Sequence, residues 1–429
     1  MSIPGFTEAQ LAEVLSDHLT PSQVIMDPDR LLGRERYLTQ IRRALLSPGR
    51  HVFIHGERGI GKTSLAVTAG RLAVAEDNCF IYVPCGEQTS FFEVLEAIGN
   101  NVTQIGRIGS RGARGLTLGL NIPGLGGANV ATSSGPTEGV AKPNTMSEAI
   151  DLLRFVRSKL QGQIVIAVDE LDRVKREEKT YFAELLKNVS TQIEDMRFVF
   201  CGIGANVSEI LGEHLSSGRM FEPVEVEKLS YDKLWQIISD ATVPLNVEIP
   251  RGFLMRIGII SDGFPHYVHL LGECLLYAMH DDPEPAPRCE RGHFDIALRE
   301  ALQKAEPSLR SIYSMATQKT KNHQDYEEAL WALADRTATK RQLSDIEQSY
   351  ARISQERRER SADPEERARP ILRREKLNDR LLTLRKDSHA NILLGWGSGW
   401  FSFRENVVRG YVRMKAESEG VELVPELTT

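Results

Sequence analysis

Gly56-Glu57-Arg58-Gly59-Ile60-Gly61-Lys62-Thr63 decides the fold. It has the spacing of a phosphate-binding loop: two glycines five residues apart, then a lysine and a hydroxyl residue. The apolar run His51-Val52-Phe53-Ile54-His55 leads in as a buried strand. Lys62 to Ala75, with Leu65, Ala66, Val67, Ala69 and Leu72, leads out as a helix. Gly56, Gly59 and Gly61 permit backbone angles that a side chain forbids. The N–H groups from Gly56 to Ser64 then wrap phosphates at the positive end of the helix dipole. In this geometry Lys62 reaches the β- and γ-phosphates of ATP, and the Thr63 hydroxyl holds Mg²⁺. A glycine turn without a ligand shares the composition but needs neither the strand nor the helix.

A nucleotide site also needs a carboxylate at the end of a neighbouring strand. Gln163-Ile164-Val165-Ile166-Ala167-Val168-Asp169-Glu170 supplies one: an unbroken apolar run, typical of a parallel strand covered on both faces, ending in two acids. Asp169 is the candidate metal ligand, direct or through water. Glu170 is the candidate base that orients and deprotonates an attacking water. The plain alternative is a core strand running into an acidic turn.

Length and composition bound the rest. A chain of 429 residues implies two or three domains. With 41% hydrophobic and 26% charged residues it is expected to be a soluble globular protein. Apolar runs stay short of the ~18 residues of a spanning helix, and the N-terminus lacks the regions of a signal peptide. A cytoplasmic location without a membrane partner is therefore expected. Cys79, Cys85, Cys201, Cys274 and Cys289 are scattered without metal spacing and read as buried thiols in a reducing compartment.

Along the chain, amphipathic stretches at 7–20 and 35–46 precede the first strand. Strands at 79–84, 163–169, 197–202 and 222–226 alternate with helical patterns at 90–105, 145–160, 179–192 and 205–214, which argues for a mostly parallel sheet flanked by helices. From Ser230 the strand signal stops, and 231–240, 251–260 and 266–279 read as helices of a lid. A proline-rich break at 281–287 follows, then a helix over 294–317. The stretch 105–140 is an insert with ten glycines, Arg107, Arg111 and Arg114, and one acid, Glu138. It reads either as a basic hairpin that meets nucleic acid or a subunit, or as a surface excursion without a partner.

The last third predicts three helices, at 325–334, 340–353 and 366–384. A β-hairpin formed by 391–394 and 400–403 follows, then a helix over 404–414. Residues 351–386 hold twelve Lys or Arg against seven Asp or Glu, a local +5 in a chain of net charge −6. Arg357, Arg358, Arg360, Arg367, Arg369, Arg373, Arg374, Arg380, Arg385, Arg404, Arg409 and Arg413 are candidate phosphate contacts, Arg373, Arg374, Arg380 and Arg385 foremost. Interleaved Glu356, Glu359, Glu365, Glu366 and Glu375 support the other reading, a solvated helix laced with ion pairs.

The loop and the Asp169-Glu170 strand resemble an ATPase of the AAA+ class, on the branch shared by origin-recognition-like replication initiators and STAND signalling ATPases. Leu32-Gly33-Arg34-Glu35 resembles the motif that helps enclose adenine there. Arg197 to Gly202 resembles the strand whose tip carries a polar sensor, and Ser217-Gly218-Arg219 the segment holding an arginine finger. Gly263-Phe264-Pro265-His266 resembles the lid turn that senses the γ-phosphate, and the last third a winged helix. Arg219 is thus either a finger reaching a neighbouring subunit or a surface arginine paired with Glu213 or Glu222. Two departures stand out: Cys201-Gly202 puts no polar side chain at the sensor tip, and His266 stands where relatives often carry Arg. Slow or partner-dependent hydrolysis follows from both.

The expected fold is α/β: a P-loop NTPase core with a mostly parallel sheet, an all-α lid and a C-terminal winged helix. The expected domains are 1–229 (N-terminal segment and core, with the insert), 230–318 (lid), and 319–429 (winged helix with an acidic tail). The resemblance implies an ATP- and Mg²⁺-dependent switch that forms a homo-oligomer and assembles on double-stranded DNA. The rivals are a STAND-type signalling or defence scaffold whose winged helix docks a protein, and a target-selection ATPase of a mobile element. In the latter the effector would be a nuclease or transposase.

Overall fold

The apolar runs form strands β1 (His51–His55), β2 (Phe80–Pro84), β3 (Ile164–Asp169), β4 (Met196–Gly202) and β5 (Phe221–Glu225). A computed structural model of the chain describes residues 3, 5–108, 140–203, 220–317 and 323–424. Within them the chain divides into two units, one comprising Ser22–Gly56 and Gly61–Glu227, the other Met1–Pro21, Glu57–Ile60 and Lys228–Thr429.

In the first unit the five strands pair in the order β2-β3-β4-β1-β5, every pair parallel. All five C-termini therefore lie along one edge, where open α/β sheets bind ligands. Helices α2 (Glu35–Leu46), α3 (Lys62–Leu72), α4 (Phe91–Ile108), α5 (Met146–Lys159) and α6 (Thr180–Gln192) flank the sheet; α1 (Glu8–His18) belongs to the second unit. Strands β3 and β4 are buried along their whole length, which explains why neither alternates apolar with polar residues. Ile164, Ile166, Val168, Phe198 and Phe200 pack with Phe182, Leu185, Val94 and Leu153 in one cluster. Each such side chain contributes about 1.5–3 kcal/mol through burial.

The second unit holds α7 (Tyr231–Thr242), α8 (Arg251–Ser261), α9 (Pro265–His280), α10 (Arg291–Lys304) and α11 (Pro307–Thr317). It continues with α12 (His323–Ala334), β6 (Lys340–Gln342), α13 (Leu343–Arg360), α14 (Pro364–Ala368), α15 (Arg374–Thr383), β7 (Leu393–Gly395), β8 (Trp400–Phe403) and α16 (Asn406–Ser418). Strands β6, β8 and β7 form an antiparallel sheet in that order.

Three expectations are corrected here. The helix over 294–317 is two, α10 and α11, because Pro307 starts a new helix instead of continuing the old one. The helix over 340–353 begins only at Leu343, since Lys340–Gln342 pairs with β8. The long helix over 366–384 is broken between Ala368 and Arg374, where Pro370 bars helix for itself and disfavours it for Arg369. The helix expected at 205–214 and most of the 105–140 insert lie outside the described residues. All five cysteines are buried and free. No helix among the described residues is long and apolar enough to cross a membrane.

Candidate nucleotide-binding site

Parallel pairing brings the ends of β1, β3 and β4 side by side, and the chain leaves β1 directly into the glycine loop. Gly56, Gly59 and Gly61 take φ of 152°, 78° and 95°. Gly61 is the left-handed N-cap of α3, a place an L side chain enters only with strain. With Gly61 as cap, the free N–H groups of the first turn of α3 point back into the loop. Ser64 is turned the other way, its Oγ accepting from Ile25 N at 3.1 Å.

Lys62 Nζ donates to Gly56 O at 3.1 Å, so its ammonium is folded over the loop. Burial lowers the Lys62 pKa, while Cys201, Asp169, Asp172 and Glu170 pull it back up. An ammonium short of solvation gains most from an incoming phosphate, which replaces the lost water. Burial also raises the Cys201 thiol well above its ordinary value, with Asp169 adding to the effect, so Cys201 is a neutral wall of the site.

The metal-ligand candidates meet. Thr63 Oγ1 donates to Asp169 Oδ2 at 2.6 Å, across 106 residues of sequence. Asp169 is only 3% exposed, and two further donors fix its carboxylate: Tyr82 OH to Oδ2 at 2.9 Å and Glu170 N to Oδ1 at 2.8 Å. Tyr82 is a residue that sequence reasoning missed. It lies on β2 two residues before Pro84, which pairs with Asp169, and only the strand register reveals it. Burial, and then the Asp169 charge, raise the Tyr82 pKa and keep the phenol a donor. An oxygen-only pair formed by a hydroxyl and an oriented carboxylate suits a hard divalent cation such as Mg²⁺.

Glu170 follows in the left-handed conformation, φ 54° and ψ 41°, which a non-glycine residue adopts at a cost of order 1–3 kcal/mol. Its carboxylate pairs with Arg173 at 3.1 Å. Beyond β4, Asp172 Oδ1 accepts from Ile203 N at 3.1 Å, so Asp172 holds the end of the strand. No polar side chain stands at that tip up to Ile203; Asn206 and Arg219 lie outside the described residues. The Glu222 carboxylate is taken by Arg50 at 3.1 Å and Gln40 at 2.9 Å.

Gly33 N donates to Glu35 Oε1 at 3.0 Å. Arg34 is 3% exposed, and its guanidinium donates to Glu227 O at 2.7 Å. It anchors the chain end of the core with its charge buried, and burial lowers its pKa.

In the second unit, Glu57 accepts from Asn406 Nδ2 at 2.9 Å, and Arg58 pairs with Glu306 and, at 3.8 Å, with Glu405. Ile60 is buried. Pro265 opens α9 at its first position. His266 Nδ1 lies 2.9 Å from Pro21 O, which assigns the proton to Nδ1. The buried Nε2 of His266 has no hydrogen-bond partner among the described residues.

Residues 30–199 match the family described as AAA ATPase domain. The parallel five-stranded sheet and its glycine loop are those of a P-loop NTPase fold. Among solved structures, the Walker-type ATPase Paby2304 of Pyrococcus abyssi shares the fold at 15% identity and a TM-score of 0.53, over 91% of this chain and 99% of that one. Lower TM-scores, 0.46 and 0.44, relate it to the ORC2 protein of Aeropyrum pernix and Cdc6p of Pyrobaculum aerophilum. These are 13% and 16% identical, over 93% and 94% of this chain and 100% and 98% of theirs. Comparison with curated protein sequences finds no match.

The arginine-rich region differs from what its charge count suggested. Arg357 pairs with Glu327 at 3.0 Å and lies over the Trp331 ring. Arg369 pairs with Asp325 at 2.7 Å and with Glu328. Arg380 reaches Asp325 at 3.3 Å and lies over Tyr326. Arg409 and Arg413 are buried on Asp262 at 3.4 Å and 3.0 Å. These five arginines are therefore corrected: their charge is spent inside the domain. Arg374 pairs with Glu347 at 3.1 Å on the surface, Arg373 and Arg385 are exposed, and the Arg385 guanidinium lies against Gly395.

Proposed function

We propose that this AAA ATPase domain binds ATP with Mg²⁺ and hydrolyses it slowly, as a switch that assembles on DNA. The Thr63–Asp169 hydrogen bond supports this most, because it joins the two nucleotide motifs in one place. Thr63 and Asp169 would hold Mg²⁺, which would supply positive charge against that of the phosphates. The N–H groups from Gly56 to Ser64 bind the phosphates, and Lys62 turns from Gly56 O to the β- and γ-oxygens. Glu170, once released from Arg173, orients the water and takes its proton. Gly33 and Arg34 border the adenine. Pro265 and His266 serve the lid turn, with His266 oriented by the Nδ1–H that it donates to Pro21 O. Arg219 acts as a finger on a neighbouring copy in a homo-oligomer. The bare Cys201-Gly202 tip supports a turnover below about 1 per second, the low end for enzymes.

We read residues 319–429 as the winged helix, supported by the order helix, strand, three helices, hairpin, helix, and 230–318 as the lid. Of the candidate phosphate contacts, Arg360, Arg367, Arg373, Arg374, Arg385 and Arg404 are exposed. Contacts in this number imply a clear salt dependence. The arginines spent inside the domain favour a second reading, a scaffold whose winged helix docks a protein effector.

Equilibrium binding of a fluorescent ATP analogue tests the core reading. Lys62→Ala should abolish retention, and Glu170→Gln should retain ATP while losing turnover. Retention unchanged in Lys62→Ala would sink it. Duplex binding across a salt series, with and without a non-hydrolysable analogue, separates switch from scaffold.

A further inference from the structure

The three-stranded sheet of the C-terminal region has two unlike faces. Arg341, Leu393, Phe401 and Phe403 point inward and are buried. Alternation puts Lys340, Gln342, Leu394, Trp396, Trp400 and Ser402 on the other face, as the pairs Lys340↔Ser402, Gln342↔Trp400 and Leu394↔Ser402 require. Trp396 Nε1 donates to Ser402 Oγ at 2.9 Å, and Lys340 Nζ lies 4.6 Å from the Trp396 ring centre and 5.7 Å from that of Trp400. These contacts fix both indoles on the outer face.

Exposed aromatic rings that lie side by side on one face form a patch of the kind that marks interaction sites. Trp396 is 58% exposed and Trp400 37%, and the six residues named on this face include an exposed lysine and no acid. The hairpin turn holds them in place: Trp396 N donates to Trp400 O at 3.0 Å and Trp400 N to Gly397 O at 2.9 Å. With its indole N–H satisfied by Ser402, Trp396 offers a ring and no donor.

We infer that this sheet face is a stacking platform for unpaired bases of a nucleic acid, with Lys340 on the adjoining phosphate. Charge complementarity selects this occupant. An apolar helix laid here would strip water from the Lys340 ammonium and give nothing back. A polyanion with flat rings supplies a phosphate for the ammonium and a π-face for each indole. Two rings on one sheet face hold about two bases, and stacking tolerates any sequence. The inference rests on the nucleic-acid reading above, but it names single-stranded or opened segments as the ligand, and the wing face rather than α15 as the reader.

The test uses the full chain and two labelled probes, a twenty-nucleotide oligothymidine and a twenty-base-pair duplex, in fluorescence anisotropy at low salt. The single strand should quench intrinsic tryptophan emission, and the pair Trp396→Ala with Trp400→Ala should weaken it tenfold or more while duplex affinity shifts less than threefold. Trp396→Phe with Trp400→Phe should restore most of the loss, which separates stacking from a misfolded hairpin. Single-strand affinity unchanged in the alanine pair overturns the inference and leaves the duplex reading standing. If the wild-type chain binds neither probe, both fall together.

Discussion

Tyr82→Phe isolates the arrangement around Asp169 with the loss of one oxygen atom. The phenol donates to Asp169 Oδ2 at 2.9 Å, the same oxygen that Thr63 contacts at 2.6 Å. A hydrogen bond to a charged acceptor contributes about 1.5–3 kcal/mol, and Asp169 keeps its bonds from Thr63 and Glu170 N, so the lower end applies. Groups that orient a metal ligand typically change metal affinity 10–100-fold. The expected outcome is a Mg²⁺ half-saturation raised about tenfold, equivalent to about 1.4 kcal/mol, with ATP retention in saturating Mg²⁺ nearly unchanged. The assay is ATP turnover against Mg²⁺ concentration at fixed nucleotide, paired with thermal denaturation of the ligand-free protein to report the stability cost separately. A Mg²⁺ half-saturation within twofold of wild type would refute the reasoning, because Asp169 would then be oriented without Tyr82 or would not serve the metal.

Two predictions concern the buried charges of the second unit. Glu328 is fully buried, accepting from Ser354 Oγ at 2.6 Å and pairing with Arg369. Glu328→Gln should cost about 3–5 kcal/mol by leaving Arg369 half-paired, and lower the melting temperature of this unit by roughly 10 °C; a shift under 2 °C would contradict it. Asp262, in the left-handed cap of α8, faces Arg409, Arg413 and Lys228. Burial pushes its pKa up, but the three cations outweigh burial and hold it below the ordinary value. A depressed carboxylate contributes stability above its unfolded pKa near 4, and that contribution is lost as pH falls through the folded value. Asp262→Asn should therefore destabilise strongly at pH 7, with the gap from wild type narrowing toward pH 3 in urea titrations; a gap independent of pH would argue against it.

The loop and the acid-tipped strand were legible because each is local: spacing, apolar run and neighbouring helix all lie within about thirty residues. Tyr82 was not, since its role comes from β2 lying beside β3 in one register, Pro84 against Asp169. The arginines of the C-terminal region fail for a related reason. A charge count records how many cations a segment holds, but not which way they point. Arg357, Arg369 and Arg380 meet acids of α12, namely Asp325, Glu327 and Glu328, thirty to fifty-five residues away. Those acids fall in a helix that apolar periodicity reads as plain core, although α12 also buries Asp325 and Glu328. Buried acids on an apolar face imply buried cations nearby, and the excess of arginine downstream is their supply. Lys340–Gln342 shows the reverse case. Three polar residues carry no strand signal, yet pairing with Trp400–Ser402 makes a strand of them, because Arg341 finds buried carbonyl partners at Asp335 and Asp345, 3.0 Å and 2.8 Å away. Local propensity loses there to hydrogen bonds that only the folded neighbourhood provides.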